Sequence, residues 1–556
     1  MRQLLIFLAL VACGDRKSSD ATATMDPTSL GALTFPLTEG TPAARTHFTR
    51  GLLALHSFWY DEAQREFTAA IAADPTMNMA HWGLAMSYVK LLWGEDDIAA
   101  AKAALQGMPD PEKLSPREQS WVMATIALLK ADDVHTSRKD FAAAMKEIYE
   151  RDHDDEAATF LAIALLSSTR PEDPNHLAIR YRAAELAAAV FAKNPKHPGA
   201  AHYLIHAKDT PALAAGALPY ARAYAAIAPQ AFHARHMPAH IFARLGMWQD
   251  AIASCEAAWD ASIAAAKRAK LSANHHDFHS LAWLVEMPFE LGQSGRADAA
   301  LRTFGAAVKA GLAHQYRALY AQEVASYMMR TGAWGKLDEL LAPLAAPAVD
   351  DAAPAAELRT GSAPSHCAPN ASPSALFEEL AVLETRARAA AARHEAGVTA
   401  DLAVRIDDVR TKLRPIVEAS QPPAIIARID ASNARARKAL LARAANDDAA
   451  LVALLRESAA DADVESGENN PSGFSAREEL GDVLLRMNDP AAAAAAYEQH
   501  LERQPNRARA LLGAARARAK AGDAEAARRW YRALVELWRT AEPSTDGLAE
   551  ARAQAR

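Results

Sequence analysis

Cysteine, glycine and aromatic residues are scarce in this sequence. Its 556 residues include 3 Cys and 24 Gly, and aromatic side chains make up 7% of the chain. Only Cys255 and Cys367 follow Cys13, which excludes a fold held together by several disulfides. We expect Cys255 to be a small buried residue on a helix face, which argues against a bridge to Cys367. Alanine dominates the 51% of hydrophobic residues and β-branched residues are sparse, so the composition favours helices over sheets.

Several functional motifs are also missing. No block of basic residues interleaves with aromatic ones, and the net charge is −7, so nucleic acid is not expected as a partner. The sequence has no HExxH zinc motif, serine nucleophile elbow or glycine-rich phosphate loop. Glu286 and Glu290 flank Pro288, and we interpret them as a solvated helix face rather than as general bases. The sequence therefore favours a non-catalytic role.

The N-terminus has the features of a targeting segment. Arg2 gives a positive start, and the apolar run from Leu4 to Ala12 is too short to span a bilayer. Leu10-Val11-Ala12-Cys13 resembles the lipobox of bacterial lipoproteins, and a plain secretory signal is the alternative. The resemblance implies a signal peptide over residues 1–13 and lipidation of Cys13. Residues 14–40 then form a flexible tether. We expect a protein anchored by lipid in the bacterial envelope, with no other membrane contact.

A repeat of 34 residues indicates the fold. Gly51, Ala63, Phe67, Ala70 and Pro75 match the spacing of the tetratricopeptide pattern. The same pattern recurs near the other end of the chain, at Leu480-Gly481, Ala493, Tyr497 and Pro505. The sequence predicts an all-α solenoid of about eight to ten helical hairpins, which bury their apolar faces against one another.

Breaks in this pattern predict the domain boundaries. A stretch rich in proline and alanine, 342–374, interrupts the helices and divides the solenoid into two segments. The predicted units are an N-terminal array over 41–341 with a histidine-rich block at 197–279, the linker 342–374, helical repeats over 375–464, a polar loop over 465–473, a pair of tetratricopeptide repeats over 474–540, and a polar tail over 541–556.

Histidines concentrate in the middle of the chain, where nine of the 19 lie between residues 197 and 279. His202 and His206 are four residues apart, which is the spacing of histidines in helical zinc sites. Asp209 follows within a turn, as a ligand or as a partner of one. His233, His236 and His240 form a second set. Pro238 either kinks their helix or begins a new one.

A third set contains His275 and His279, also four residues apart, with Asn274 as a plausible helix cap. His47, His56 and His81 are remote in sequence and join the others only if the solenoid curls strongly. The predicted pocket comprises His202, Tyr203, His206, Asp209, His233, His236, His240 and His279. Within it, His202, His206, His236 and His240 are the predicted metal ligands, and zinc or copper suits an all-histidine set. The alternative is a polar seam in which buried imidazoles bond one another.

Three blocks carry a resemblance to a known group. They are GLLALHSFWYDEA at 51–63, HPGAAHYLIHA at 197–207 and HARHMPAHIF at 233–242. Together they resemble a widespread group of bacterial, mostly exported tetratricopeptide-repeat proteins and lipoproteins of unassigned function, over roughly residues 45 to 540. The resemblance implies the fold and supplies no activity. This chain departs from the group at Ala239, where serine often stands, and at Cys255, where asparagine is common.

Two functional hypotheses follow. The first is an envelope-anchored scaffold that binds a protein, a peptide or a small ligand through a concave, histidine-rich pocket. The second is a metal-binding protein or metalloenzyme that uses zinc or copper at the same histidines. A protein or peptide is the expected partner.

Overall fold

The computed structural model describes residues 30–93, 96–130, 133–349, 373–420, 422–464 and 475–556. Within these ranges the chain is helical and contains no strand. Consecutive helices pack on one another along the chain, as in a solenoid of helical hairpins. The predicted all-α solenoid is confirmed.

The α-helices are numbered in chain order. The first seventeen are α1 Pro42–His56, α2 Tyr60–Ala73, α3 Asn78–Ser87, α4 Ile98–Gln106, α5 Pro116–Lys130, α6 Val134–Asp152, α7 Asp155–Ser168, α8 His176–Lys193, α9 Pro198–Lys208, α10 Leu218–Ile227, α11 Phe232–His236, α12 Pro238–Arg244, α13 Trp248–Ala269, α14 Phe278–Glu286, α15 Ser294–Gly311, α16 His314–Thr331 and α17 Leu337–Leu341. The others are α18 Pro373–Ala392, α19 Ala396–Ser420, α20 Pro423–Ala444, α21 Asp448–Val464, α22 Ala476–Arg486, α23 Pro490–Arg503, α24 Ala508–Lys520, α25 Ala524–Leu537 and α26 Leu548–Gln554. Short 3₁₀ helices lie at Pro111–Lys113, Ala214–Ala217, Ala273–His275, Met287–Leu291, Trp334–Lys336 and Ala342–Ala345.

The repeat signature has a direct steric cause. Phe67 on α2 packs between Gly51 on α1 and Gly83 on α3, and a Cβ at Gly51 would lie 2.8 Å from its ring. Tyr497 on α23 packs in the same way between Gly481 and Gly513. In both places the pattern requires glycine because the aromatic ring occupies the space of a side chain.

Pro238 marks the boundary between two short helices in the middle of the N-terminal array. Helix α11 ends at His236 and α12 begins at Pro238, with Met237 between them. Pro238 is therefore the first residue of a helix rather than a kink within one, and its missing N–H costs no helical hydrogen bond.

The solenoid closes on itself. The Ala508 N–H at the start of α24 donates to Glu290 Oε2 at 2.7 Å, and Trp248 Nε1 donates to the Asn506 carbonyl at 2.7 Å. Glu290 is fully buried and Glu286 is 4% exposed, so the expectation of a solvated face is wrong for both. The helices on either side of the predicted linker also pack together, α16 against α18, so the described helices continue as one array.

The predicted boundaries differ from the structure in two places. Residues 30–40, expected to belong to the tether, pack on the fold: Phe35 contacts Phe48, Trp82 and Trp121. The predicted polar tail carries α26, in which Leu548 is buried. Cys13, Cys367, residues 14–29, most of the linker and the loop 465–473 lie outside the described residues. None of the described helices is both long and apolar enough to cross a membrane.

Candidate metal centre

A cavity of about 880 Å³ lies at the centre of the N-terminal array. Helices α2, α11, α12, α14 and α16 contribute to its wall. Its histidines are His206, His233, His240, His275, His276 and His279. Aromatic side chains supply much of the remaining surface, among them Phe58, Tyr60, Trp93, Phe232 and Tyr316.

Three histidines from two helices meet at one side of this cavity, and we call them the first triad: His202, His206 and His233. His202 Nε2 lies 2.9 Å from His206 Nε2 and 3.1 Å from His233 Nε2. The ligand nitrogens of all three lie within 4.8 Å of one another. All three residues are buried, and His202 is completely so.

The tautomer of His202 is fixed by its other ring nitrogen. His202 Nδ1 lies 2.7 Å from the main-chain carbonyl oxygen of His56, at the end of α1. A carbonyl only accepts, so Nδ1 carries the proton. Burial, with the nearby His206, lowers the pKa of His202 well below its ordinary value, and the ring is neutral. Its Nε2 therefore presents a lone pair to His206 and His233.

Phe58 covers the first triad. Its ring centroid lies 4.4 Å from that of His202, 5.6 Å from His206 and 5.4 Å from His233. The backbone of Phe58 has φ +53°, a left-handed conformation that is unfavourable for an aromatic residue. The packing that holds it there keeps the apolar ring between the triad and part of the cavity.

A second triad comprises His236, His240 and His279, contributed by α11, α12 and α14. His236 Nε2 lies 3.0 Å from His240 Nε2, and the rings of His236 and His279 have centroids 4.6 Å apart. The ligand nitrogens of the three again lie within 4.8 Å of one another. His236 and His240 are buried, whereas His279 is exposed.

Side chains behind the second triad orient its rings. His240 Nδ1 contacts Asp209 Oδ2 at 3.0 Å, and Arg244 donates to Asp209 Oδ1 at 2.8 Å. Burial alone would raise the pKa of Asp209, but Arg244 and His240 outweigh it and hold that pKa well below its usual range. The ionised carboxylate accepts the Nδ1 proton of His240 and leaves Nε2 directed at the triad.

The ring of His236 is likewise oriented through its Nδ1, in this case by the hydroxyl of Ser280. Its Nδ1 lies 2.8 Å from Ser280 Oγ, and Ser280 donates its own proton to Asp277 Oδ2 at 2.5 Å. Ser280 Oγ therefore accepts from His236 Nδ1, and Nε2 carries the lone pair. Cys255 Sγ lies 3.6 Å from the same Nδ1, and burial raises the pKa of this thiol well above its ordinary value. Cys255 is a free cysteine behind the second triad.

The two triads are neighbours. The rings of His233 and His236 stack with centroids 6.1 Å apart and planes at 27°. The four predicted metal ligands are divided between the triads, with His202 and His206 in the first and His236 and His240 in the second. His233 and His279, predicted only as pocket residues, complete them.

A third group of potential ligands has a structural role. His56 Nε2 and His197 Nε2 contact the two oxygens of Glu156, at 2.8 and 2.9 Å. His197 Nδ1 accepts from the Ala200 N–H, so its Nε2 is protonated and donates to Glu156. Burial would raise the pKa of Glu156, but His197 and His56 lower it to about 2. Tyr203 belongs to this group, with its hydroxyl 3.0 Å from His56 Nδ1, and does not line the cavity.

Other sequence expectations fare differently. His275 contacts Asp61 at 2.8 Å and does not share a helix with His279, because α14 begins only at Phe278. The N-cap of α14 is Asp277 rather than Asn274. The side chain of Asn274 instead accepts a hydrogen bond from the Ala313 N–H. The solenoid curls enough for His56 to support His202, whereas His47 contacts Glu66 at 2.7 Å.

Each triad is an arrangement that could hold a metal ion. Three imidazole nitrogens within 4.8 Å of one another match in number the protein ligands of a catalytic zinc site, in which the fourth position takes water or substrate. An imidazole set also suits copper.

Comparison with known proteins bears on the fold. Residues 478–542 match the tetratricopeptide repeat family. Together with the helical hairpins of the described residues, this match indicates a solenoid of tetratricopeptide type, a fold that suggests a protein-interaction scaffold. Among curated proteins, none matches this chain.

Solved structures of helical proteins are similar at a low level. The Naa15/Naa10 structure bound to HypK-THB is 13% identical, with a TM-score of 0.22, over 92% of this chain and 74% of that one. The tetratricopeptide domain of P58(IPK) is 14% identical, with a TM-score of 0.17, over 92% of this chain and 98% of that one. At these TM-scores the similarity is to a succession of helices, and no function is carried over from it.

Proposed function

We propose that this protein is a tetratricopeptide scaffold that binds a zinc or copper ion at His202, His206 and His233. The observation that carries the proposal is the position of His202 Nε2, 2.9 and 3.1 Å from two other imidazole nitrogens. That atom has one lone pair, because Nδ1 holds the proton. A single lone pair accepts one well-aligned N–H, so a seam of hydrogen bonds leaves one of these contacts unsatisfied. A metal ion that accepts all three lone pairs satisfies both.

The placement of the triad supports the same role. His206 and His233 line the cavity, while His202 lies behind them with its outer nitrogen bound to the main chain. Metal-binding histidines commonly donate their second N–H to a carbonyl or carboxylate, which orients the ring. The open side of the triad faces a space large enough for a small ligand or a peptide side chain.

Metal content tests the proposal directly. The full chain is stripped with a chelator, reloaded with Zn²⁺ or Cu²⁺, desalted and analysed by mass spectrometry for metal. We expect His233→Gln to lose one equivalent relative to the wild type. His276→Gln is the matched control, because His276 lines the same cavity and belongs to neither triad. A wild-type protein that retains no stoichiometric metal would contradict the proposal.

A second candidate function is the binding of a protein or peptide in the cavity. The support is its aromatic lining, with Lys90 5.8 Å from the Tyr60 ring centroid and 5.9 Å from that of Trp93. A photoreactive residue at Gln64, which lines the cavity, is expected to crosslink a partner in cells. The control position is Tyr181, which is 53% exposed and lies outside the cavity. Equal crosslinking at both positions would count against this function.

We also propose that Cys13 is lipidated and holds the protein in the bacterial envelope. The support is the lipobox-like Leu10-Val11-Ala12-Cys13 after a short apolar run. Metabolic labelling with a fatty-acid analogue is expected to mark the wild type and not Cys13→Ser. Equal labelling of the variant would exclude this anchor.

A further inference from the structure

We infer that His236, His240 and His279 form a second, separate site for a zinc or copper ion, and that Asp209 sets its affinity. The inference goes beyond the proposed function, because it concerns different ligands and does not require the first triad to hold metal. It rests on the hydrogen bonds behind the second triad and on its exposure to the cavity.

In the second triad, the Nδ1 atoms of His236 and His240 are held by partners behind the rings, and their Nε2 atoms point at each other. His240 Nδ1 donates to the ionised Asp209, and His236 Nδ1 donates to Ser280, whose own proton is directed to Asp277. The two Nε2 atoms face each other, 3.0 Å apart. A metal ion at this point can bind both nitrogens, each through the lone pair that Nε2 has when Nδ1 carries the ring's proton. His279 brings a third nitrogen within 4.8 Å of these two.

The second site differs from the first in its supporting charge. The first triad is supported at His202 by a neutral carbonyl, whereas the second is supported at His240 by a buried carboxylate. A carboxylate partner makes the imidazole a more basic ligand and typically changes metal affinity by about 10- to 100-fold. Arg244 holds Asp209 through its other oxygen, so the carboxylate stays aligned with the ring. Asp209 is therefore a positioning residue.

The two sites also differ in access. His279 is exposed and His240 lines the cavity, so an ion at the second triad meets solvent directly. Phe58 covers the three rings of the first triad. We expect the second site to load and release metal faster than the first.

The test is a zinc titration of the stripped full chain against a chromophoric chelator of known affinity. We expect two equivalents in the wild type and one in His279→Ala. A His206→Ala variant is also expected to keep one equivalent, and the double variant none. Far-UV circular dichroism shows that each variant is folded.

Asp209→Asn is expected to weaken one of the two binding steps by about 10- to 100-fold and leave the other unchanged. A role limited to folding would move both steps or neither. If Asp209→Asn does not fold, Ser280→Ala tests the same inference, because it removes the partner of His236 Nδ1 and is expected to weaken the same step.

The outcomes separate this inference from the proposed function. The second site would be overturned if His279→Ala still bound two equivalents of zinc. It would also be overturned if the wild type bound one equivalent and His206→Ala bound none. If the wild type bound one equivalent of zinc, which was lost in His279→Ala and kept in His206→Ala, the second site would be supported and the first contradicted.

Discussion

His202 donates a hydrogen bond from Nδ1 to the main-chain carbonyl oxygen of His56, at 2.7 Å and 146 residues away in sequence. The acceptor is the last residue of α1, so its carbonyl is one that the helix leaves without a partner. This contact fixes the tautomer of a buried ring and directs its lone pair at His206 and His233. The C-terminal end of α1 therefore orients His202.

Removing the ring of Phe58 exposes the first triad. We expect Phe58→Ala to bind the same amount of zinc as the wild type but to lose it to a chelator about tenfold faster, because the apolar shell around a metal controls solvent access. Stopped-flow transfer to a chromophoric chelator measures this rate. Phe232→Ala is the control, since Phe232 lines the cavity and contacts Trp59. Equal rates in the two variants would contradict a covering role for Phe58.

Glu290 stabilises the closure of the solenoid. It lies 2.9 Å from Arg330 and 3.5 Å from Arg507, and all three side chains are almost completely buried. Glu290→Gln removes the carboxylate that Arg330 and Arg507 share, although Arg507 keeps its pair with Glu478. We expect the free energy of unfolding to fall by about 3–5 kcal/mol. Glu256→Gln, which breaks an exposed pair with Arg296, is expected to cost about 0–1 kcal/mol. Urea denaturation of both variants measures the difference, and similar losses would contradict this account of the closure.

Glycine at position 83 is required by Phe67. A methyl group there would overlap the ring, so Gly83→Ala is expected to destabilise the N-terminal repeats by about 1–3 kcal/mol, as overpacking does. The double variant Gly83→Ala/Phe67→Leu should recover part of this loss. Gly397→Ala is the control, because no atom lies within 4 Å of its added Cβ. Thermal unfolding distinguishes them, and an unaffected Gly83→Ala would contradict the packing role.

Acid destabilises the C-terminal repeats through His500. Burial lowers the pKa of His500 from 6.5 to about 4, against the attraction of Glu478. Glu290, Arg507 and Arg477 also face it. Between these pH values the unfolded chain binds a proton that the folded protein does not. The stability contributed by neutral His500 is thus complete above pH 6.5 and is lost as the pH falls towards 4.

The comparison with His500→Leu isolates this contribution. Between pH 7.5 and 5.5 we expect the wild type to lose about 1 kcal/mol more unfolding free energy than the variant. Urea denaturation at the two pH values gives both quantities. Equal losses would mean that folding leaves the pKa of His500 unchanged, which would contradict this account.

The sequence predicts the solenoid well because each repeat carries its own signal. The spacing of Gly51, Phe67 and Gly83 follows from contacts between neighbouring helices, and such contacts are local in sequence. The closure through Glu290 and Ala508 joins residues 218 positions apart, and no periodicity indicates it. For this reason Glu286 and Glu290 were expected to face solvent.

The sequence predicts which histidines belong to the site, but not how they divide into two triads. Spacing places His202 beside His206, but their third partner, His233, lies on α11, which follows a 3₁₀ helix and α10. The main-chain carbonyl of His56, which orients His202, cannot be identified from the sequence, because every residue has such a carbonyl. The sequence indications that this remote segment belongs to the site are His56 and the resemblance block at 51–63, which contains both His56 and Phe58.

X-ray absorption at the zinc edge of the reloaded full chain tests the central claim most directly. Both triads consist of three histidines, so we predict about three imidazole ligands per zinc, with Zn–N distances of about 2.0–2.1 Å and no sulfur at about 2.3 Å. A spectrum with a sulfur shell, or with fewer than two imidazoles per zinc, would contradict a metal centre built from these histidines.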